Sequence, residues 1–303
     1  MAAAGQVLSG AYWQYEIGVE MRADCCRLTT LIDATRCPLS LQLIAALMLF
    51  PASTSAQRSV YVEDLTWPEV QQAIGSGKTT AIICTGSTEQ NGPHMAIGKH
   101  NFIARWVAGA IAIELGDALV YPTLPFAPTG DAVTRTGHMR FPGSVSLTSL
   151  TYGAVVHDVA LSALDAGFKN VFIMGDHGDG QDVLASVAKT LDAQLRSKGA
   201  RVFYVPDVYF KEKQQAHAYE VSHGLPTRDV HAGIDDTSEL MALDGRHRWI
   251  RSDKLAPSGG AQTARTGVDG DPTKASTLLG DIFLQYKVDD AVAQIHRLLQ
   301  GKA

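Results

Sequence analysis

The stretch "TTAIICTGSTEQNGPHMAIGKH", Thr79 to His100, joins an apolar run to a loop rich in metal-ligand side chains. The apolar run is β-branched and ends at Gly86, which is typical of a strand buried on both faces of a parallel sheet. The loop that follows carries Glu89 and His94, and His100 comes at its end. In open parallel sheets, ligands bind at the loops that follow the strands' carboxyl ends. The stretch therefore predicts a parallel sheet with a site at its edge.

The same order of apolar strand and polar loop occurs again downstream. The segment "KNVFIMGDHGDG" places Asp176, His177 and Asp179 directly after a second apolar run. Apolar residues at helical spacing occur in the segments "HNFIARWVAGAIAIEL", "SLTSLTYGAVVHDVALSALDAGF" and "QDVLASVAKTLDAQLRSKG". We predict an α/β fold whose largely parallel central sheet is covered by helices on both faces. The two polar loops then meet at one edge of the sheet.

Composition narrows the class of partner. The 303 residues are 46% hydrophobic and 19% charged, which is typical of a globular protein. A formal net charge of -5 offers no basic stripe for nucleic acid. We therefore expect a small-molecule substrate and no nucleic-acid partner.

The first 56 residues have the pattern of a secretory signal peptide. Arg22, Arg27 and Arg36 precede the apolar stretch "PLSLQLIAALMLF", and the small-residue segment "PASTSAQRS" follows it. We predict cleavage after Ala56, export to the periplasm, no membrane attachment after cleavage, and a single catalytic domain at 57–303. A buried helix or an uncleaved anchor is the alternative interpretation of the apolar stretch.

Cysteine usage agrees with that cleavage point. Cys25, Cys26 and Cys37 all lie in the leader, so Cys84 is the only cysteine of the predicted mature chain. An intrachain disulfide and a cysteine-based zinc site are then both excluded. Cys84 lies within an apolar run, where we expect an inert buried thiol.

Three further segments carry polar residues that local structure does not fully explain. In "DVHAGIDDTSELMAL", Asp235 and Asp236 suit the first turn of a helix, but His231 has no such role. The segment "TGHMRFPGSVSL" carries His138 beside a Pro-Gly turn. Residues 256–276 form a long irregular segment, for which a lid and a subunit contact both remain open.

Five motifs, in this order along the chain, resemble those of the creatininase family of metal-dependent amidohydrolases. They are "GSTEQNGPHMAIGKH", "TGHMRFPGSVSL", "VFIMGDHGDG", "DVHAGIDDTSELM" and "TGVDGDPTKASTLLGD". The resemblance implies a three-layer α/β/α fold and a divalent metal at the strand ends. It also implies hydrolysis of a non-peptide C–N bond, usually in a cyclic amide or formamide, and a homo-oligomer, a hexamer in this family.

Residue by residue, the resemblance assigns Glu89 and His177 as metal ligands and His231 as the catalytic histidine. Asp179 matches the position of a second-metal glutamate, so it is a candidate ligand or a candidate general base. Two positions depart from the family pattern. Asn91 replaces a histidine ligand, and His100 replaces an aspartate that bridges two metals.

These departures favour a single metal. A neutral imidazole offers one lone pair, so His100 is expected to be a terminal ligand rather than a bridge. With Glu89 and His177 it completes the ligand set of a catalytic zinc that keeps an open position for water. Zn²⁺ is favoured, and Mn²⁺ or Fe²⁺ also suits such a shell.

The predicted reaction uses a metal-activated water. Asp179 or Asp236 would accept its proton, and His231 would protonate the leaving nitrogen or stabilise the tetrahedral oxyanion. His94 is expected to shape the loop or to touch the substrate. A lactone or ester hydrolase on the same fold is one alternative function, and a non-catalytic binding protein on a decayed enzyme scaffold is the other.

Overall fold

The computed structural model describes residues 59–301, so the predicted leader lies outside the described residues. The helices of this part are α1 (Trp67–Gly75), α2 (Lys99–Leu115), α3 (Ser149–Asp165), α4 (Gln181–Leu195), α5 (Asp207–Ser222), α6 (Ile234–Leu243), α7 (Thr263–Thr266) and α8 (Thr277–Leu299). The strands are β1 (Thr80–Thr85), β2 (Ala118–Val120), β3 (Asn170–Gly175), β4 (Arg201–Tyr204), β5 (Asp229–His231) and β6 (Asp269–Gly270). Between residues 59 and 301, no helix is both long enough and apolar enough to span a membrane.

The central sheet has four parallel strands in the order β2-β1-β3-β4. At its centre Ile82 lies opposite Val120 on one side and Phe172 on the other. All six residues of β1 are buried, as the continuous apolar run predicts. The prediction of a parallel sheet is therefore confirmed.

Alternate residues of the central strands face two separate cores. Ile82 and Cys84 pack in a cluster that includes residues of α2, α5 and α8. Ala81 and Ile83 pack on the other face, with residues of α1, α3 and α4. Because successive side chains of a strand point to opposite faces, two buried faces require a helical layer on each side. The fold is thus the three-layer α/β/α arrangement.

Local sequence signals mark where two of the helices begin or end. The Thr148 side chain accepts a hydrogen bond from the backbone N–H of Thr151 and so caps the start of α3. At the end of α2, Gly116 adopts a left-handed conformation with φ of 75°.

A short antiparallel pair lies beside the main sheet. Strand β5 pairs with β6, which brings part of the irregular segment 256–276 against the strand that carries His231. Within that segment, Ser258 and Gly270 exchange two backbone hydrogen bonds of 2.9 Å. These bonds close the segment on itself, and the pairing of β6 with β5 holds it next to His231.

Candidate active site

A polar cavity of about 210 Å³ lies where β1 and β3 end. Its lining residues are Glu89, His100, His138, His177, Gly178, Asp179, Tyr209, Lys213, Val230, His231 and Asp236. They come from the loops after β1 and β3, the first turns of α2 and α6, helix α5, strand β5 and a short 3-10 turn at Gly137–Arg140. The two strand-end loops thus meet, as their positions in the sequence predict.

Glu89 lies at the centre of this cavity and is fully buried. Its Oε2 atom accepts a hydrogen bond of 2.9 Å from the Ser87 hydroxyl and lies 2.7 Å from His177 Nε2. Its Oε1 atom lies 3.2 Å from His100 Nε2. Burial raises the pKa of Glu89, but the charges of His177 and His100 lower it more, and it lies well below the usual range. Glu89 is therefore an ionised carboxylate between two imidazoles.

Two further histidines lie near the same carboxylate. His138 Nε2 and His231 Nδ1 each lie 3.9 Å from Glu89 Oε1. Burial lowers the pKa of His138, and burial together with Lys99 lowers the pKa of His231 to about 3. Both rings are therefore neutral near pH 7. The sequence assigned His231 to the site but left His138 without a role, although "TGHMRFPGSVSL" contained it.

The side of the His100 ring that faces away from Glu89 contacts a buried ion pair, Asp176 with Lys287. Its Nδ1 atom lies 2.8 Å from Asp176 Oδ2, and Asp176 Oδ1 lies 3.0 Å from Lys287 Nζ. Burial raises the pKa of Asp176, but Lys287 and His100 lower it to below the usual value. Because a carboxylate only accepts, the His100 Nδ1 atom carries a proton toward Asp176, and its Nε2 atom faces Glu89. Burial and the Lys99 charge lower the pKa of His100, but its contacts with Asp176 and Glu89 raise it more, to above the usual value.

Lys287 lies on α8 and is only 2% exposed in its side chain. Besides Asp176, it lies 3.3 Å from Glu212 Oε2 and 3.3 Å from Glu239 Oε1. Burial lowers its pKa, but these carboxylates raise it well above the usual value. Sequence reasoning missed this ammonium group because a single lysine within a helical pattern is normally a solvated one.

A second buried lysine pairs with one of the two candidate bases. Lys99 Nζ lies 2.7 Å from Asp236 Oδ2, and Lys213 Nζ lies 3.5 Å from Asp236 Oδ1. Burial raises the pKa of Asp236, but Lys99 and Lys213 lower it far more, to well below the usual range. Such a carboxylate is a weak base. Asp179, by contrast, is exposed at the rim of the cavity.

Two loop residues point away from the cavity. The Asn91 side chain is fully buried and donates to the backbone carbonyls of Glu89 and Ala96, at 2.9 and 3.4 Å. His94 is also fully buried, and its Nε2 atom lies 3.0 Å from the Thr237 hydroxyl. Both side chains shape the loop, and neither lines the cavity.

Comparison with known proteins gives the family. The family described as "Creatininase: Creatinine amidohydrolase" matches residues 63–295. The chain is a member of the creatininase family. It is 28% identical over 223 residues to the mycofactocin precursor peptide peptidase of Mycolicibacterium smegmatis, covering 71% of this chain and 84% of that protein. It is 26% identical over 190 residues to the creatinine amidohydrolase of Pseudomonas putida, covering 61% of this chain and 72% of that protein.

The fold agrees with solved members of the creatininase family. A structure named as the manganese creatininase has a TM-score of 0.67 at 22% identity, with 79% of this chain and 98% of that chain covered. The predicted three-layer fold is therefore confirmed.

The residues around Glu89 fit a divalent cation of the kind that the creatininase family uses. Glu89 Oε1 is buried and receives no well-formed hydrogen bond from the described residues. His177 Nδ1 donates to the Asp179 carbonyl at 3.2 Å, so His177 Nε2, like that of His100, is the nitrogen available to a metal. Ligand atoms of Glu89, His138 and His177 also lie within 4.8 Å of one another, which makes His138 a competitor of His100 for the third ligand position. One carboxylate and two or more imidazoles suit zinc, manganese or iron.

Proposed function

We propose that this protein is a metal-dependent hydrolase that cleaves the C–N bond of a small cyclic amide or formamide with an activated water. The observation that carries the proposal is the buried Glu89 carboxylate with the Nε2 atoms of His177 and His100 at 2.7 and 3.2 Å. A hydrogen bond at Nδ1 fixes the direction of each ring. Glu89, His100 and His177 would hold the cation, with Zn²⁺ favoured over Mn²⁺ or Fe²⁺ as in the sequence-based expectation.

The size of the cavity supports a small substrate. Its volume of about 210 Å³ lies below the range of roughly 300–1,000 Å³ that is common for drug-sized ligands. Its wall is dominated by imidazoles and carboxylates, which suits a polar molecule. The Tyr209 ring contributes one aromatic surface to that wall.

The bound cation would supply a water of lowered pKa. Asp179 at the rim is the carboxylate best placed to take a proton from water, because the two lysines hold Asp236 in ion pairs. His231 Nδ1 faces the central carboxylate, and it can return a proton to the leaving nitrogen after first receiving one.

A peptide C–N bond is the second candidate, favoured by the mycofactocin precursor peptide peptidase as a relative. The cavity is open on the side of Val230, whose side chain lines it and which is 71% exposed. An extended chain can leave the cavity on that side, with only its last residues inside. A lactone or ester would be attacked by the same water, so bond type has to be tested directly.

The test is turnover of cyclic amides, formamides, short peptides and lactones by protein loaded with Zn²⁺ or Mn²⁺. Glu89→Ala and His177→Ala should lose both metal and activity, whereas His223→Ala, at an exposed histidine of the surface, should keep both. Turnover of lactones alone would replace the C–N assignment by an ester-type one. Tight metal binding without turnover of any class would favour a binding protein, and full metal content in His177→Ala would refute the ligand assignment.

We also propose a homo-oligomer, a hexamer by family resemblance. Trp67, Ile113 and Leu150 are 77%, 70% and 85% exposed, and such large apolar side chains suit burial between copies. Light scattering coupled to gel filtration measures the mass directly, and a monomer at micromolar concentration would contradict the proposal.

A further inference from the structure

Gln90, the residue after the central carboxylate, has a side-chain amide whose orientation is set by two backbone groups. Its Oε1 atom accepts the Gly92 N–H at 2.9 Å, and its Nε2 atom donates to the Gly267 carbonyl at 3.0 Å. A backbone N–H requires an oxygen and a carbonyl requires an N–H, so exchanging the two amide atoms would break both contacts.

The second amide hydrogen of Gln90 points at His138. Gln90 Nε2 lies 2.9 Å from His138 Nδ1, and because the amide nitrogen only donates, His138 Nδ1 carries no proton. A neutral imidazole holds one proton, so in His138 it lies on Nε2. That is the atom that faces Glu89 Oε1 at 3.9 Å. A protonated Nε2 donates hydrogen bonds and does not bind a metal.

The main-chain carbonyl of Gln90 orients the ring of His231, but with its unprotonated nitrogen toward the cavity. The Gln90 carbonyl lies 2.9 Å from His231 Nε2, so that nitrogen carries the proton and donates it. The unprotonated Nδ1 atom then faces Glu89 Oε1 at 3.9 Å. The two rings, 4.6 Å apart, are therefore the same tautomer in opposite orientations. One presents a donor to the cavity and the other presents an acceptor.

We propose that Gln90 is a positioning residue that presents His138 to the cavity as a hydrogen-bond donor outside the metal shell. The role of that donor rests on the proposed function, because its partner is the carbonyl oxygen of the scissile acyl group. Negative charge develops on that oxygen when water adds to the carbon, and a fixed donor stabilises it. The donor forms a hydrogen bond and transfers no proton.

The irregular segment 256–276 contacts the site through Gly267. Gly267 supplies the carbonyl that orients the Gln90 amide. It has φ of 74°, and a Cβ atom there would lie 1.7 Å from Gln90 Oε1. The added methyl group of Gly267→Ala is therefore expected to push the Gln90 amide out of place while leaving residue 90 a glutamine.

The direct test is the tautomer of each histidine in metal-free protein near pH 7.5, measured by two-bond ¹H–¹⁵N NMR correlations. Wild-type His138 should show a protonated Nε2 and a bare Nδ1. Gln90→Leu and Gly267→Ala should convert His138 into a tautomer mixture, whereas His231, held by the main-chain carbonyl, should keep its tautomer in Gln90→Leu. A protonated Nδ1 in wild-type His138, or no change in both variants, would overturn the inference.

Zn²⁺ affinity, measured by competition with a chromophoric chelator, separates a donor from a ligand. His138→Ala should keep Zn²⁺ affinity within about threefold and lower kcat by about 10²–10³, the usual effect of removing one such donor. His138→Gln, which restores an N–H donor, should recover part of kcat. A loss of Zn²⁺ affinity above about tenfold in His138→Ala would make it a ligand and refute the proposal. The NMR and Zn²⁺ measurements need no substrate, so an inactive wild-type protein would count against the proposed function alone.

Discussion

Replacing Lys287 by methionine removes the one charged group that neutralises the buried Asp176 from the α8 side. Lys287 Nζ lies 3.0 Å from Asp176 Oδ1, and both side chains are at most 6% exposed. At an effective dielectric constant of about 20, that separation corresponds to roughly 5.5 kcal/mol of attraction. Breaking a buried pair by removing one partner costs about 3–5 kcal/mol. We expect Lys287→Met to lower the free energy of unfolding by about 3–5 kcal/mol.

Urea denaturation at pH 7.5, followed by circular dichroism, measures the change. Lys211→Met is the matched control, because Lys211 also links α5 to α8 through an ion pair, with Asp290. Its side chain is 44% exposed, and Asp290 keeps a second partner in Gln215 at 2.6 Å. Because the Lys211 ammonium is partly exposed and Asp290 keeps this second partner, we expect a loss of about 0–1 kcal/mol, as for partly solvated pairs.

If Lys287→Met is no less stable than Lys211→Met, the buried Lys287–Asp176 pair does not stabilise the fold as proposed. A second measurement isolates the charge from the lost packing. The double variant Asp176→Asn/Lys287→Met removes both charges together, and replacing a buried ion pair by neutral groups is often nearly neutral. We therefore expect the double variant to be more stable than Lys287→Met alone, and a simple sum of the two losses would show that the pair is not coupled.

The remaining predictions concern metal content, acid–base behaviour and export. Protein dialysed without chelator should hold about one metal per chain, because the terminal imidazole of His100 cannot bridge two ions; two stoichiometric metals would contradict this, as would His100→Asp with neither a second metal nor altered activity. Burial and Asp235 raise the pKa of Glu220 to about 7, so its ionisation reduces stability as pH rises from the ordinary carboxyl value toward 7. Glu220→Gln should therefore stabilise the fold by about 1–3 kcal/mol at pH 8 and much less at pH 5, in urea titrations at both values; equal effects at the two pH values would refute it. We also propose export, so protein purified from the periplasm of a Gram-negative host should have an N-terminus near Gln57 when it is sequenced. Finding the full-length chain in the cytoplasm would contradict this proposal.

The sequence alone determined the sheet, its helical layers and the edge at which the site lies. Buried parallel strands are read from continuous apolar runs, as in β1, and caps such as Thr148 need only neighbouring residues. The placement of Glu89 and His177 at one edge of the sheet follows from their positions after two strands, because the carboxyl ends of parallel strands share one edge. These features depend on short-range patterns, which is why they could be predicted.

Only the tertiary structure decided how the titratable groups are paired. Lys287 and Asp176 are 111 positions apart, and Gln90 and Gly267 are 177 apart, so no local pattern links them. The charge of Asp236 and the orientation of the His138 ring depend on such distant partners, since burial is costly unless each polar group meets a complementary one. Residue types and strand ends placed the site, while the chemical state of each group in it depends on which atoms the folded chain brings within about 3 Å of it.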